Sequence, residues 1–324
     1  MTAVDGTGPA PGAEAAACPR CGSPVFEDER FCEACGTSVT PEPVPEPDRA
    51  PVPAAEADPP VELDLEAVGA VTHRGYRRAR NEDAVAGAAG TGWSAAVVCD
   101  GVASTSNAHL ASGAAVHTAL AVLEAGAAAA TDDTSAALVV RSLVEAQAAV
   151  SAVAPDAAGG LELAPSTTAV VVLILGSTLH VAGVGDSRAY WLGKSGAARI
   201  LTTDDSLARD RIAEGVPVDV AYADPDAHTI TRWLGADADA AEPVVSSFPV
   251  TEPGVVVVCT DGLWNYVEAP ERMLDAAGDW TGMRPLDVAH RLVDVALDAG
   301  GQDNVTVAVL PVGGTAPSVP ADLP

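Results

Sequence analysis

The chain has 324 residues, of which 48% are hydrophobic and only 4% aromatic, so it can build one large domain with a core of Ala, Val and Leu and a small domain beside it. Its formal net charge is −28. So acidic a chain repels the phosphate backbone of nucleic acids and anionic membrane surfaces, which excludes nucleic acid as the expected partner and favours cations or basic partners.

Nothing in the sequence indicates a membrane span or a secretion signal. The longest apolar run, at residues 169–175, has the length of a strand and is far shorter than the roughly 18 residues that a spanning helix needs. The N-terminus has no basic segment followed by an apolar one, so we expect no signal peptide. We therefore predict a cytoplasmic protein.

Two pairs of cysteines near the N-terminus have the spacing of a metal site. Residues 1–17 are rich in Gly, Ala and Pro and are expected to be disordered, and residues 18–36 then carry two Cys-x-x-Cys pairs, each followed by Gly. Four thiolates complete the tetrahedral coordination of zinc, so we predict one structural zinc ion in a zinc ribbon that resembles the short bacterial kind. The alternative is two disulfide bonds, which are rare in cytosolic proteins. The predicted ligands are Cys18, Cys21, Cys32 and Cys35.

A linker rich in Pro and acidic residues separates the ribbon from the large domain. It covers residues 37–61, and its composition is typical of an extended, self-repelling tether. The large domain is expected to span residues 62–313. Residues 314–324 are again rich in Pro, Gly and Ala and are expected to be disordered.

Strands and helices are intermixed in the large domain. The predicted strands cover residues 65–72, 93–99, 167–175, 179–184, 189–192, 255–259 and 305–310. The predicted helices cover residues 109–125, 135–153, 268–277 and 286–298. Because runs of successive strands are typical of antiparallel hairpins, we expect an α+β fold with mostly antiparallel sheets and helices packed outside them.

Acidic residues recur at the ends of these apolar strands. Taken singly, an Asp-Gly pair is usually a turn, but several such turns that each adjoin a buried strand indicate a common site. Carboxylates that converge repel one another unless cations neutralise them, and ligands made only of oxygen select Mg²⁺ or Mn²⁺. Asp100, Asp186 and Asp261 follow apolar strands, Asp303 lies just before the last strand, and Glu82 and Asp83 follow the Arg77-Arg78 pair.

The order of the polar motifs resembles that of the metal-dependent protein phosphatases, the protein phosphatase 2C-like family in its bacterial form. The motifs are, in chain order, Arg-x-x-Asn-Glu-Asp, Asp-Gly, Thr-Thr, Gly-Asp-Ser-Arg, Ile-Thr-Arg-x-Leu-Gly, Thr-Asp-Gly-Leu-Trp and Asp-Asn-Val-Thr. The resemblance runs from about Val68 to Leu310. It implies a four-layer α-β-β-α sandwich in which two mostly antiparallel sheets lie between pairs of helices.

The resemblance also implies which residues bind metal. Asp100 matches the aspartate that bridges two ions, and the carbonyl of Gly101 matches a ligand of one of them. Asp261 and Asp303 match ligands of the other ion. Asp186, together with Asp261, matches the ligands of a third ion in bacterial members. We therefore expect two or three Mn²⁺ or Mg²⁺ ions.

Further residues of the first motif match groups beside the metals. Glu82 and Asp83 match carboxylates close to the bridged pair of ions. Arg78 matches the arginine that binds phosphate, a task that suits the planar guanidinium group. Arg77 and Arg80 are the alternatives if the alignment shifts.

The activity implied by the resemblance is removal of phosphate from phosphoserine and phosphothreonine in proteins. Two divalent ions about 4 Å apart can bind one bridging water and lower its pKa, so that the resulting hydroxide attacks phosphorus. Asp100 and Arg78 are the expected catalytic residues. No covalent phosphoenzyme is needed.

Two loops depart from the pattern of the family. Residues 102–104, Val-Ala-Ser, stand where x-Gly-Gly is usual, and residues 204–206, Asp-Asp-Ser, stand where Asp-His-Ser is usual. The expected metal ligands are retained, so we predict activity. Because Val102 cannot donate a proton, we expect a metal-bound water to protonate the leaving group.

Three other signals are interpreted as structural. Cys99 and Cys259 precede acidic residues on apolar strands and are predicted to be buried thiols without a catalytic role. Residues 193–195, Gly-Lys-Ser, lack the Gly that a phosphate-binding loop needs and are predicted to form a hairpin turn. His109 opens an Ala-rich helix and is predicted to have a capping or surface role.

Two alternatives to a general protein phosphatase stay open. One is a signalling adaptor with weak or no activity that binds partners through the zinc ribbon. The other is a phosphatase that acts on a single anti-sigma-like protein. The expected partners are phosphoproteins, namely bacterial Ser/Thr kinases and their targets, by analogy with the family.

Overall fold

The computed structural model describes residues 60–153, 163–238 and 243–313, together with two short strands near the N-terminus, β1 (Ala16–Ala17) and β2 (Pro24–Val25). The chain divides into a unit of residues 1–50 and a unit of residues 51–324. In the first unit β1 pairs with β2 in antiparallel fashion. β1 falls in the segment predicted to be disordered. The zinc-ribbon cysteines lie outside the described residues, as do the tail and all but the last two residues of the linker.

The second unit contains thirteen further strands and seven helices within the described residues. In chain order they are β3 (Val61–Asp64), β4 (Gly69–His73), β5 (Asp83–Gly90), β6 (Trp93–Asp100), α1 (Ala108–Ala127), α2 (Asp132–Ser151), β7 (Ser166–Thr167), β8 (Ala169–Leu175), β9 (Thr178–Val184), β10 (Arg188–Gly193), β11 (Ala198–Ile200), α3 (Leu207–Ala213), α4 (Val218–Tyr222), β12 (Leu234–Gly235), β13 (Ser246–Pro249), β14 (Gly254–Cys259), α5 (Asp261–Trp264), α6 (Pro270–Ala277), α7 (Pro285–Asp298) and β15 (Val305–Val312).

Two antiparallel sheets form the centre of this unit. One has six strands in the order β11-β10-β14-β15-β4-β3, and the other has five in the order β13-β9-β8-β6-β5. Every neighbouring pair in both sheets is antiparallel. The short strands β7 and β12 pair separately.

Three apolar cores separate four layers. Successive side chains of a strand point to opposite faces, so Val97 packs with α1 and α2 while its neighbour Val98 packs between the two sheets. In the same way Val258 faces the other sheet while Val257 packs against α5, α6 and α7. The predicted α-β-β-α sandwich with mostly antiparallel sheets is confirmed.

The boundaries of some elements differ from the prediction. The strand predicted at residues 65–72 corresponds to β4 alone, because residues 65–68 form the turn between β3 and β4. In this turn Glu66 has a φ of 58° and the Leu65 amide donates to the Val68 carbonyl. β5 was not predicted, because its sequence is mostly Ala and Gly and lacks a β-branched pattern. α2 begins at Asp132, earlier than predicted, because the Thr131 amide donates to the Thr134 side chain at its N-terminus.

One helix of the described residues, α1, is long and apolar enough to cross a membrane by length and composition alone. Its sequence is not a continuous apolar run, because polar side chains such as Ser112, His117 and Glu124 interrupt it. Its buried residues, among them Ala111, Ala115 and Leu123, pack with α2 and the five-stranded sheet. α1 therefore packs as a core helix of the sandwich.

Candidate metal and phosphate site

Acidic side chains from four separate segments meet at one end of the two sheets. Asp100 ends β6, and Asp83 begins β5 directly opposite it in the ladder. Asp261 is the first residue of α5, immediately after Thr260 and the end of β14, and Asp303 precedes β15 by two residues. Because β14 and β15 are antiparallel, the end of one lies beside the start of the other.

The carboxyl groups of Asp100 and Asp261 lie within hydrogen-bonding reach of each other. Burial, followed by the nearby charges of Asp83 and Asp261, raises the pKa of Asp100 well above its ordinary value. Burial and the charge of Asp303 raise the pKa of Asp261. These two carboxyl groups would ionise more readily beside a cation.

Asp83 is buried and only half satisfied. Its Oδ2 accepts hydrogen bonds from Thr260 Oγ1 at 2.9 Å and from Thr306 Oγ1 at 2.7 Å, whereas its buried Oδ1 has no hydrogen-bond partner. Burial is the largest cause that raises the pKa of Asp83, to about 7, and the charges of Asp261 and Asp303 add to it. A buried oxygen without a partner has the chemistry of a cation ligand.

Asp186 stands on the loop between β9 and β10. Burial, followed by the charges of Asp261 and Asp204, raises its pKa to about 7. The backbone at this point is held from both sides, since the Asp186 carbonyl accepts a hydrogen bond from Trp264 Nε1 at 2.9 Å and the Gly185 amide donates to Asp205 Oδ2 at 3.0 Å. The pKa shift places Asp186 within the electrostatic reach of Asp261.

Arg78 lies among these carboxylates. Its Nη2 is 2.5 Å from Asp303 Oδ2, and the hydrogen bond to Asp303 is the largest cause that raises the pKa of Arg78. The charges of Asp261 and Asp100 act in the same direction. The alternative arginine Arg80 lies beside His109 instead, whereas Arg78 contacts the Asp303 carboxylate directly.

Close backbone packing explains two glycines in the motifs. A Cβ atom at Gly101 would lie 2.6 Å from the Glu82 carbonyl and 2.7 Å from the Ala108 carbonyl, and one at Gly262 would lie 1.8 Å from the Asn304 carbonyl. Any larger residue would push these segments apart. The glycines therefore let the loops that carry the acidic residues approach one another.

Several supporting residues were missed by sequence reasoning. The Asp100 amide donates to Thr168 Oγ1, and Thr167 Oγ1 donates to the Asp100 carbonyl, so the Thr-Thr pair holds the end of β6. Asn304 accepts from the Glu82 amide at 2.8 Å and donates to the Arg80 carbonyl at 2.9 Å. Their positions in the Thr-Thr and Asp-Asn-Val-Thr motifs are the sequence feature that could have identified these supporting residues.

Hydrogen bonds connect the loop at residues 204–206 to the Gly-Asp-Ser-Arg motif that carries Asp186. The Arg188 guanidinium donates from Nε and Nη2 to the Asp204 carboxylate, at 2.9 and 2.6 Å, and both side chains are buried. Asp205 accepts from the Gly185 amide. Asp204 is thus a structural partner of the Gly-Asp-Ser-Arg motif. In the other departing loop, the Val102 amide donates to the Ser166 carbonyl.

The predictions that the two strand cysteines are buried thiols and that Gly-Lys-Ser forms a turn are confirmed. Cys99 and Cys259 are free, fully buried thiols, and burial raises the pKa of both. Residues 193–196 form the turn of the β10–β11 hairpin, where the Gly196 amide donates to the Gly193 carbonyl. The site at the sheet ends is therefore the chemically active candidate.

The donor set fits hard divalent cations, because it consists of carboxylate oxygens that repel one another and includes the orphaned oxygen of Asp83. In the part of the chain that is described, no three His, Cys, Asp or Glu side chains are arranged as the ligands of one ion. Asp303 is bonded to Arg78 instead. A cation that gathered three carboxylates would have to compete with Arg78.

Comparison with known proteins identifies the family of the chain and agrees with its fold. A family model described as protein phosphatase 2C matches residues 72–295. "Probable protein phosphatase 2C 74" of Oryza sativa is 34% identical over 157 residues, which are 44% of this chain and 38% of that protein. "Serine/threonine protein phosphatase PstP" of Mycobacterium tuberculosis is 30% identical over 182 residues, 52% of this chain. The chain spans 33% of the length of PstP.

Solved structures show the same architecture. The catalytic domain of PstP in complex with two manganese ions superposes with a TM-score of 0.59 at 28% identity, covering 76% of this chain and 97% of that one. Stp1 of Staphylococcus aureus superposes with a TM-score of 0.64 at 23% identity, covering 78% and 98%. The second likeness concerns the fold alone. The family model covers well over half of the chain, which therefore belongs to the protein phosphatase 2C family.

Proposed function

We propose that the chain is a metal-dependent protein serine/threonine phosphatase. The observation that carries this proposal is the convergence of Asp83, Asp100 and Asp261, whose pKa values are raised, with Arg78 beside them. Carboxylates that can bind divalent ions, next to an arginine that can bind phosphate, suit an enzyme that hydrolyses phosphate esters. The likeness to PstP supports the same activity.

The proposed holders of Mn²⁺ or Mg²⁺ are drawn from the carboxylates at the sheet ends. Bound divalent ions would lower the pKa of a water molecule and neutralise charge on the phosphoryl oxygens. The unpartnered Oδ1 of Asp83 and the mutual repulsion around Asp100 support this donor set. The full proposed set is Glu82, Asp83, Asp100, the Gly101 carbonyl, Asp186, Asp261 and Asp303.

Arg78 is proposed to hold the phosphoryl group. Its guanidinium already donates to one carboxylate oxygen, Oδ2 of Asp303, and a phosphate presents two such oxygens to the same planar group. With Asp303 engaged by a cation, Arg78 would be released to bind the substrate. Val102 offers no proton for the leaving serine or threonine oxygen, so that proton would come from solvent.

A cleft lined in part by Gly183 and Val184, which precede Asp186 at the end of β9, supports a protein substrate. It has a volume of about 730 Å³ and is lined by Asp205, Arg232 and Trp233 among others. Its mixed polar and apolar lining suits an extended peptide. The proposed partners are phosphoproteins, including bacterial Ser/Thr kinases and their targets, in the cytoplasm.

The zinc ribbon is proposed as a separate docking module. Cys18, Cys21, Cys32 and Cys35 would hold one structural zinc ion, and the linker would let the catalytic domain reach phosphosites near the docking partner. We expect one zinc per chain by elemental analysis of protein purified without added metal. Replacement of the four cysteines by serine should remove that zinc and spare turnover of small substrates.

Release of phosphate from a phosphothreonine peptide tests the proposal. The wild-type protein should release phosphate with Mn²⁺, and the release should stop when a chelator is added. The Asp100→Asn and Asp261→Asn variants should lose at least about a hundredfold in kcat, because each removes a proposed metal ligand. Asp275→Asn, an exposed carboxylate on α6, is the matched control. Wild-type turnover equal to that of Asp100→Asn would instead favour the adaptor alternative.

A further inference from the structure

The loop between β4 and β5 concentrates positive charge in an acidic chain. Four of the seventeen Lys and Arg residues lie within the seven residues from Arg74 to Arg80, although the net charge of the whole chain is −28. Arg74 and Arg78 are among the four and have structural partners within the domain. Arg74 is buried and donates to the Arg78 carbonyl, and Arg78 binds Asp303.

Arg80 has a different environment. It is exposed, and its Nη1 lies 3.0 and 3.1 Å from the two ring nitrogens of His109 in the first turn of α1. No Asp or Glu of the described segments forms an ion pair with either residue. Burial, followed by the Arg80 charge, lowers the pKa of His109. Two basic groups thus face each other without a carboxylate between them.

The pair stands at the edge of the proposed phosphate site. The charges of Arg78 and Arg80 both act on the Glu82 carboxyl, opposing the burial that raises its pKa. Ser112, one turn after His109, donates to the Glu82 carbonyl at 2.6 Å, and Asn304 holds the Arg80 carbonyl. The backbone on both sides of the pair is therefore fixed relative to the carboxylates.

We propose that Arg80 and His109 form a second anion subsite beside the phosphoryl site, which binds a carboxylate or a second phosphate on a residue flanking the phosphoresidue. This inference rests on the proposed function, since it concerns the same substrate peptide. Neighbouring residues of an extended peptide are about 3.3–3.6 Å apart, so an anionic side chain close to the phosphoresidue can reach the rim of the site. Arginine suits both anions because it can donate two parallel hydrogen bonds.

Binding of three phosphonate peptides, which cannot be hydrolysed, tests the subsite. The peptides differ only beside the phosphoresidue mimic, with Asn, Asp or a second phosphonate there, and their Kd values are measured by fluorescence anisotropy with Mn²⁺. Wild type should bind the Asp and double-phosphonate peptides about tenfold more tightly than the Asn peptide, the size of one charge-assisted hydrogen bond. Arg80→Gln should reduce both ratios to near one, and His109→Gln should reduce them in part.

Arg272→Gln is the matched control, because Arg272 is exposed on α6 in the opposite helical layer, and it should keep the wild-type ratios. The ratio of two Kd values measured on one variant does not depend on the fraction of that variant that is folded. Equal Kd values for all three peptides in wild type, no binding of any peptide, or unchanged ratios in Arg80→Gln would each overturn the subsite. Hydrolysable versions of the peptides separate the two proposals: retained binding ratios without Mn²⁺-dependent phosphate release would contradict the phosphatase activity alone.

Discussion

The Arg188 guanidinium carbon lies 3.8 Å from the centre of the Trp264 indole ring. The same arginine binds the buried Asp204 carboxylate with two nitrogens, and the Trp264 indole donates to the Asp186 carbonyl. One stacked pair therefore joins β10, the loop of Asp186 and the helix that starts at Asp261.

Replacing this arginine should destabilise the domain strongly. Arg188→Met would leave Asp204 buried without its partner, and breaking a buried ion pair in this way costs about 3–5 kcal/mol. Urea denaturation with a chelator present measures the free energy of unfolding. Arg272→Met, at an exposed position, should change it by less than about 0.5 kcal/mol. Equal stabilities for the two variants would contradict the role given to the pair.

The acidic residues of the site should make the metal-free protein less stable as pH rises. The pKa of Asp186 is about 7 in the folded state, against an ordinary value of 3.8. The folded state therefore binds the proton more tightly, and stability is highest below pH 4 for this group and falls between about pH 4 and 7. Asp83 acts in the same direction.

Substitution of Asp186 should show the same effect directly. In a chelator at pH 7.5, Asp186→Asn should be more stable than wild type by about 1–3 kcal/mol, since one pKa unit corresponds to about 1.4 kcal/mol. Thermal melts from pH 5 to 8 test this, and the exposed Asp275→Asn serves as control. A variant less stable than wild type at pH 7.5 would be the opposite result.

Arg78 should oppose metal binding and assist turnover at once. Because its guanidinium binds Asp303, it competes with a divalent cation for that carboxylate. Arg78→Ala should therefore bind Mn²⁺ more tightly in a calorimetric titration, yet lose about 10²–10³-fold in kcat on a phosphopeptide, as expected for a lost transition-state donor. Weaker Mn²⁺ binding by the variant would show that Arg78 organises the metal site instead.

Replacement of two glycines by alanine should change the free energy of unfolding in opposite directions. A Cβ at Gly262 would collide with the Asn304 carbonyl, so Gly262→Ala should destabilise the fold by several kcal/mol, on the order of 3, and separate Asp261 from Asp303. Gly113 in α1 has open space around its Cβ position, so Gly113→Ala should stabilise by about 0.5–1 kcal/mol. Denaturation midpoints of the two variants give the comparison.

Much of the architecture followed from the sequence because the strands are runs of β-branched residues. The strands at Val97–Val98 and Val257–Val258 are recognisable without long-range information, and the acidic residues at their ends indicated a common site. β5 was missed because Ala and Gly carry no strand signal, and its place depends on pairing with β6. Local patterns thus predicted the core strands better than the edge strands.

The partners of the site residues could not be predicted in the same way. The hydroxyls of Thr260 and Thr306 reach Asp83 only because β14 and β15 pair in one register, and these residues are 177 and 223 positions from Asp83. The bond between Arg78 and Asp303 spans 225 positions. Contacts of this kind depend on tertiary packing and not on local sequence.

The central claim is that carboxylates from distant parts of the chain hold divalent ions. Anomalous diffraction from crystals grown with Mn²⁺ tests it most directly. We expect at least two manganese peaks, coordinated by the carboxylates of Asp100, Asp261 and Asp303. No peak at these carboxylates, in crystals that diffract well enough to show manganese, would contradict the account.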